Sequence, residues 1–112
     1  MLIKNKTMEK QTTNQEPFQQ LIQSSVPVLV DFYADWCGPC KAMNPVIQEV
    51  AKNVQGRARV IKVNIDKSQA ASMHFNVNAV PTFILFKNGK TVWRHSGIID
   101  KHTLLNTINS VV

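Results

Sequence analysis

Apolar residues recur along this chain with a period that changes from segment to segment. Phe18, Leu21 and Ile22 share one helical face and predict a first helix ending near Ser25. Pro27 then opens Val28-Leu29-Val30-Asp31-Phe32-Tyr33, a nearly continuous apolar run that reads as a strand buried on both faces. Helical spacing returns in Met43, Val46, Ile47, Val50, Ala51 and Val54. Gly56 is placed to end that helix, and Pro45 inside it is expected to kink it. The β-branched stretch from Ala58 to Ile65 reads as a second strand. Ser68 is positioned to cap a short helix through Phe75, with Asn76 suited to a left-handed ending. Pro81 precedes a strand at Thr82 to Phe86, and Asn88-Gly89 is a two-residue hairpin turn into Thr91 to His95. A last helix after Asp100 turns Leu104, Leu105, Ile108, Val111 and Val112 inward.

A strand-helix-strand unit makes a parallel pair by a right-handed crossover, while a hairpin adds antiparallel strands. The expected class is therefore α/β, with a mixed central sheet flanked by helices on both faces. Residues 1–16, rich in Asn, Gln, Thr and Lys, read as a loosely held polar arm, and 17–112 as one folded domain. A length of 112 residues allows no second domain, and 44% hydrophobic residues exclude disorder. The longest apolar stretch, Val26 to Ala34, is about half a membrane span and contains Pro27 and Asp31, so no membrane partner is expected. Met1-Leu2-Ile3 is followed at once by Lys4, Asn5 and Lys6, which leaves no apolar block for a secretory signal. A cytoplasmic location follows, or a periplasmic or exported one if a leader has been removed. The net charge of +6 raises the question of nucleic acid. The basic residues are scattered and not interleaved with aromatics, so the charge reads as solubility and steering toward acidic partners.

The chain has two cysteines, Cys37 and Cys40, in Cys37-Gly38-Pro39-Cys40 between the buried strand and the strongest helix. Side chains at i and i+3 of a helix have Cβ atoms about 5–6 Å apart, and a disulfide needs about 3.5–4.5 Å. A small adjustment of the first turn thus switches the pair between dithiol and disulfide. Free N–H groups and the helix dipole favour an anion at that end. A thiol of pKa about 8.5 is roughly 3% ionised at pH 7, whereas one near 7 is about half ionised. Cys37, at the mouth of the turn, is the expected nucleophile, and Cys40, deeper in the helix, the resolving thiol. Pro39 loses no hydrogen bond in a first turn and stiffens the loop. A zinc site lacks a second ligand pair, since His95 and His102 are too far apart and His74 stands alone. A purely structural disulfide across so short a loop would stabilise little.

Trp36-Cys37-Gly38-Pro39-Cys40-Lys41 closely resembles the active site of thioredoxins. The resemblance runs from about Phe18 to the C-terminus through Val30-Asp31-Phe32, Pro45, Lys62-Val63-Asn64-Ile65-Asp66, Val80-Pro81-Thr82, Phe86-Lys87-Asn88-Gly89 and Gly97. It implies the thioredoxin fold and reduction of protein disulfides with no bound cofactor. Electrons would come from NADPH through a flavin-containing thioredoxin reductase, with oxidised proteins as clients and the chain itself a monomer. An exported reductase or isomerase, or a non-enzymatic binding subunit using the same groove, would share these residues. Tyr33 stands where thioredoxins often carry Trp, Asn76 and Ala79 where Gly is common, and Ser96 where an apolar residue usually lines the groove. Residues 5–15 lack the apolar positions of the family's first strand.

From the residues alone, Asp31 is either a buried carboxylate or a solvated strand-end one. The resemblance implies burial and a role as the base that takes the Cys40 proton through water. Lys62 is either its neighbour or an outward-facing strand lysine. The resemblance further implies a cis bond before Pro81, facing the cysteines, with the Val80 backbone free to pair with an extended client segment. Trp36, Val80 and Ile98 would form an apolar rim, and Gly97 would permit close backbone approach. Trp93 reads as packing, and the three histidines receive no functional role.

Overall fold

A computed structural model describes residues 15–112. The expected polar arm and the weak first-strand segment lie outside these residues, except that Gln15 and Glu16 belong to the first helix. The elements are α1 (Gln15–Ile22), β1 (Val28–Tyr33), α2 (Gly38–Asn53), β2 (Arg59–Asn64), α3 (Gln69–His74), β3 (Thr82–Lys87), β4 (Lys90–Ser96) and α4 (Lys101–Asn109). The described strands form one sheet in the order β2-β1-β3-β4, with β1 parallel to β2 and antiparallel to β3, and β4 antiparallel to β3.

Strand alternation sorts the core into two layers. Leu29, Phe83 and Leu85 point to the face covered by α2 and α4, where Met43, Ile47, Val50, Leu104 and Ile108 meet them. Val28, Val30, Phe32, Ile84 and Phe86 point to the opposite face, under Phe18 and Ile22 of α1 and Ala71 of α3. Central strands buried on both faces are apolar at nearly every position, which is why β1 and β3 were legible as unbroken runs. Asp31 lies two residues from Leu29 and so faces α2, the helix that carries the cysteines.

The first helix ends at Ile22 rather than near Ser25, and the cause lies elsewhere in the chain. The Ile22 carbonyl accepts from Gly89 N–H at 3.0 Å and the Ser24 carbonyl from Asn88 N–H at 2.9 Å, so the segment that follows α1 is pinned to the hairpin turn. The helix α2 runs through Pro45 without a break. Lys41, whose carbonyl loses its donor at Pro45, and Pro45 itself are exposed, where water can take the bond. Asn76 (φ 54°) and the Asn88-Gly89 pair (φ 53° and 80°) adopt the left-handed conformations expected of them. A register shift between Leu85 and Phe86 leaves Val92 bulged and exposed, while Trp93 packs on the α2/α4 layer.

The turn supplies a test of this packing. A Cβ on Gly89 would strike the Gln23 side chain, and the positive φ disfavours any side chain there. Gly89→Ala should lower the unfolding free energy by about 1–2 kcal/mol, read from urea midpoints at unchanged slope. Adding Gln23→Ala should return only the steric part; full recovery would show that backbone conformation contributes nothing.

Candidate active site

The buried strand β1 delivers the chain to a tight turn at its C-terminal end, and the turn feeds directly into α2. Cys37 N–H closes that turn on the Ala34 carbonyl at 3.2 Å. Cys37 is the N-cap of α2, with extended backbone (φ −93°, ψ 110°), and Pro39 follows in the first turn, where a missing N–H loses no bond. The Cys37 sulfur accepts the Cys40 backbone N–H at 3.1 Å. No acidic side chain occupies the first turn of α2, so the sulfur alone meets the positive end of the helix. The two cysteines form a disulfide with their Cα atoms 5.3 Å apart. Both are buried, at 4% and 5% exposure, so exposure does not separate them. Their surroundings do: Cys37 sits at the helix terminus, whereas Cys40 lines a cavity with Tyr33, Asn44, Lys41 and Lys62.

The loop ahead of the cysteines is fastened to the β2–α3 connection. Trp36 Nε1 donates to Asp66 Oδ2 at 2.9 Å, although most of the Trp36 surface is exposed. Asn64 Oδ1 accepts the Asp66 and Lys67 N–H groups at 2.9 and 3.3 Å, and Asn64 Nδ2 donates to Asp35 Oδ2 at 3.4 Å. Facing the cysteines, Val80 packs into their cluster with Ala34 and Ile65, and the Val80–Pro81 bond is cis. Gly97 N–H donates to the Pro81 carbonyl at 2.8 Å. The Thr82 hydroxyl donates to the Ala79 carbonyl at 2.7 Å and shares a 3.0 Å bond with Ser96 Oγ. Gly97 has φ +99° and open space around its missing Cβ, so backbone conformation rather than crowding requires glycine there. Ile98 is 63% exposed beside it.

Asp31 resolves in favour of burial: it is 2% exposed, and its Oδ1 has no hydrogen-bond partner among the described residues. Burial pushes its carboxyl up from 3.8 to about 6, against a smaller downward pull from Lys62. Lys62 combines both expectations. Its Cα is the register partner of Asp31, yet its ammonium reaches the cavity rim, donating to Asn44 Oδ1 at 2.8 Å over the Tyr33 ring at 4.5 Å.

The sequence and the fold that carry this arrangement have relatives among known proteins. A family model described as thioredoxin matches residues 9–110. The chain belongs to the thioredoxin family. It is 40% identical over 94 residues to a thioredoxin of Rickettsia conorii, covering 84% of this chain and 90% of that one. It is 37% identical over 105 residues to a thioredoxin of Rickettsia felis, covering 94% and 100%. Among solved structures, Fasciola hepatica thioredoxin superposes with a TM-score of 0.81 at 32% identity, covering 89% of this chain and 96% of that one. Mitochondrial thioredoxin 3 of Saccharomyces cerevisiae, in its oxidised form, gives 0.79 at 32% identity, covering 88% and 92%. This thioredoxin is a protein thiol–disulfide oxidoreductase whose redox group is its own Cys37–Cys40 disulfide.

The hydrogen bonds that fasten the thioredoxin site are not evident from the sequence. Asn64, Asp66 and Thr82 fall in the motifs that resemble thioredoxins and Ser96 marks the groove, but nothing local points to their bonds between elements, and Asn44 carries no signal at all.

Asp31 yields a prediction with a definite sign. Between pH 3.8 and about 6 the folded state holds a proton that the unfolded state has released, so stability falls as pH rises across that window and levels off above it. Asp31→Asn removes the buried charge. It should be more stable than wild type at pH 8 by on the order of 2 kcal/mol, with the gap closing toward pH 4. Urea midpoints at several pH values check this; a gap independent of pH would show that the carboxyl is solvated.

Proposed function

We propose that this thioredoxin reduces client protein disulfides in the cytoplasm, with Cys37 as the attacking thiol and Cys40 as the resolving one. One observation carries the assignment: the Cys37 sulfur caps α2 and accepts a backbone N–H, the setting that favours a thiolate. The reduced protein begins as a Cys37 thiolate and a Cys40 thiol. Cys37 attacks one sulfur of the client disulfide, forming a mixed disulfide, and the first client thiolate leaves and takes up a proton. Cys40 then passes its proton toward Asp31 and attacks the Cys37 sulfur. The intrachain disulfide forms, and the second client thiolate leaves with the electron pair. Two electrons have moved to the client. A thioredoxin reductase carrying flavin and drawing on NADPH returns them to the protein.

The client lies, in this reading, as an extended segment against the Val80 backbone at cis Pro81, with Gly97 beside it and Trp36 and Ile98 as apolar flanks. The exposure of Trp36 and Ile98, at 68% and 63%, supports that role, since both apolar surfaces stand uncovered. Lys62 tunes Asp31 rather than touching the reacting sulfurs. The absence of any cysteine beyond the redox pair is in keeping with a reducing compartment.

Trapping separates the two sulfurs. Cys40→Ser should accumulate stable mixed disulfides with an oxidised client such as insulin, because the resolving thiol is gone, and Cys37→Ser should accumulate almost none. Both single variants should lose insulin reduction. Equal trapping by the two variants would reverse or dissolve the assignment.

A further inference from the structure

The ammonium of Lys62 is held by neutral groups although a carboxylate lies on the adjacent strand. Asp31 and Lys62 are register partners on parallel strands, which places their side chains on the same face, about 5 Å apart at the backbone. Asp31 Oδ1 is buried without a partner among the described residues, and a lysine there could turn inward to it. Instead Lys62 Nζ donates to Asn44 Oδ1 at 2.8 Å and stands 4.5 Å from the centre of the Tyr33 ring. Pairing with Asp31 would bury the ammonium in an apolar layer, at a large desolvation penalty. Asn44 supplies an acceptor one turn beyond Cys40 on α2, at the wetter rim of the cavity that Cys40 also lines.

We propose that Asn44 is a positioning residue: it holds the Lys62 ammonium away from the Asp31 carboxyl and thereby sets the pH range in which Cys40 can give up its proton. This rests on the reading that Asp31 accepts that proton. Among the described residues, the charged and titratable groups around Asp31 are few. From β2 comes Lys62, and from α2 come Cys40, its partner Cys37 at the cap and, at the cavity wall, Lys41. Tyr33 and Asp35 follow from the end of β1 and the turn. From β3 the register partner is Phe83, and α4 contributes Leu104 and Ile108 to the layer, all apolar. Lys62 is therefore the cation whose position matters most, and Asn44 is the side chain that determines that position. A closer ammonium favours the carboxylate, so freeing Lys62 lowers the pH at which Asp31 ionises.

The test follows Asp31 directly, by the pH titration of its side-chain carboxyl carbon in the reduced protein, in four chains: wild type, Asn44→Ala, Lys62→Met and the double variant. Single-turnover reduction of a disulfide peptide across pH 5–9 accompanies it. Asn44→Ala should lower the Asp31 midpoint by about half a unit, a roughly threefold change in proton affinity. The rate near pH 5 should then rise by up to about threefold, and Asn44→Asp, which keeps an acceptor for Lys62, should not lower the midpoint. In the Lys62→Met background, Asn44→Ala should leave the midpoint where it is, an outcome that simple loosening of α2 would not give. An unmoved midpoint, or an equal movement with and without Lys62, overturns the proposal. A midpoint that moves while the rate profile does not identifies a different failure: Asn44 positions Lys62, but Asp31 is not the base, and the link to Cys40 falls with it.

Discussion

The structure turns on the point where the buried strand β1 ends and α2 begins. A parallel strand enclosed on both faces can deliver the chain to one place only, and a helix starting there presents unpaired N–H groups to whatever sits at its cap. In this thioredoxin a sulfur sits at the cap. The tight turn closed by Cys37 on Ala34, the proline in the first helical turn and the Cys40 N–H on the Cys37 sulfur all fix that meeting. The i, i+3 spacing then brings the second sulfur into bonding range with a small adjustment of the first turn. The disulfide and the dithiol therefore differ by little more than the S–S bond, and the protein can cycle between them.

The second constraint opposes stability. The face of β1 that lies beneath α2 carries Asp31 in an otherwise apolar layer, where a carboxylate is disfavoured and its Oδ1 finds no donor among the described residues. A fold selected for stability alone would place an apolar residue there. The carboxyl instead acquires a proton affinity raised toward the working pH, the property a proton acceptor for a neighbouring thiol requires. Lys62 opposes the shift only weakly, because Asn44 and Tyr33 hold its ammonium at the rim.

What could be read from the sequence follows the range of the interactions concerned. The strands β1 and β3 were legible because burial on both faces leaves an apolar run. Asn76, Asn88 and Gly89 were legible because positive φ selects residue type locally. The cysteine pair was legible because its chemistry depends on spacing alone. The end of α1 lies earlier than its apolar spacing predicts because the segment after it is pinned to a hairpin turn far along the chain. The state of Lys62 stayed open because the choice between Asp31 and Asn44 depends on the depth of the cavity between α2 and β2, which no local pattern encodes. The anchoring of Trp36 by Asp66 and of the cis-proline loop by Thr82 and Ser96 was invisible for the same reason.

In the proposed reading, α2 activates one sulfur of the pair. Its most direct test is the pH dependence of alkylation of the fully reduced protein by iodoacetamide, with the modified residue identified by peptide mass. Cys37 should react first, with a midpoint near pH 7 and well below the ordinary thiol value of about 8.5, while Cys40 remains unmodified over the same interval. A midpoint at about 8.5, or equal labelling of Cys37 and Cys40, would contradict activation by the helix terminus.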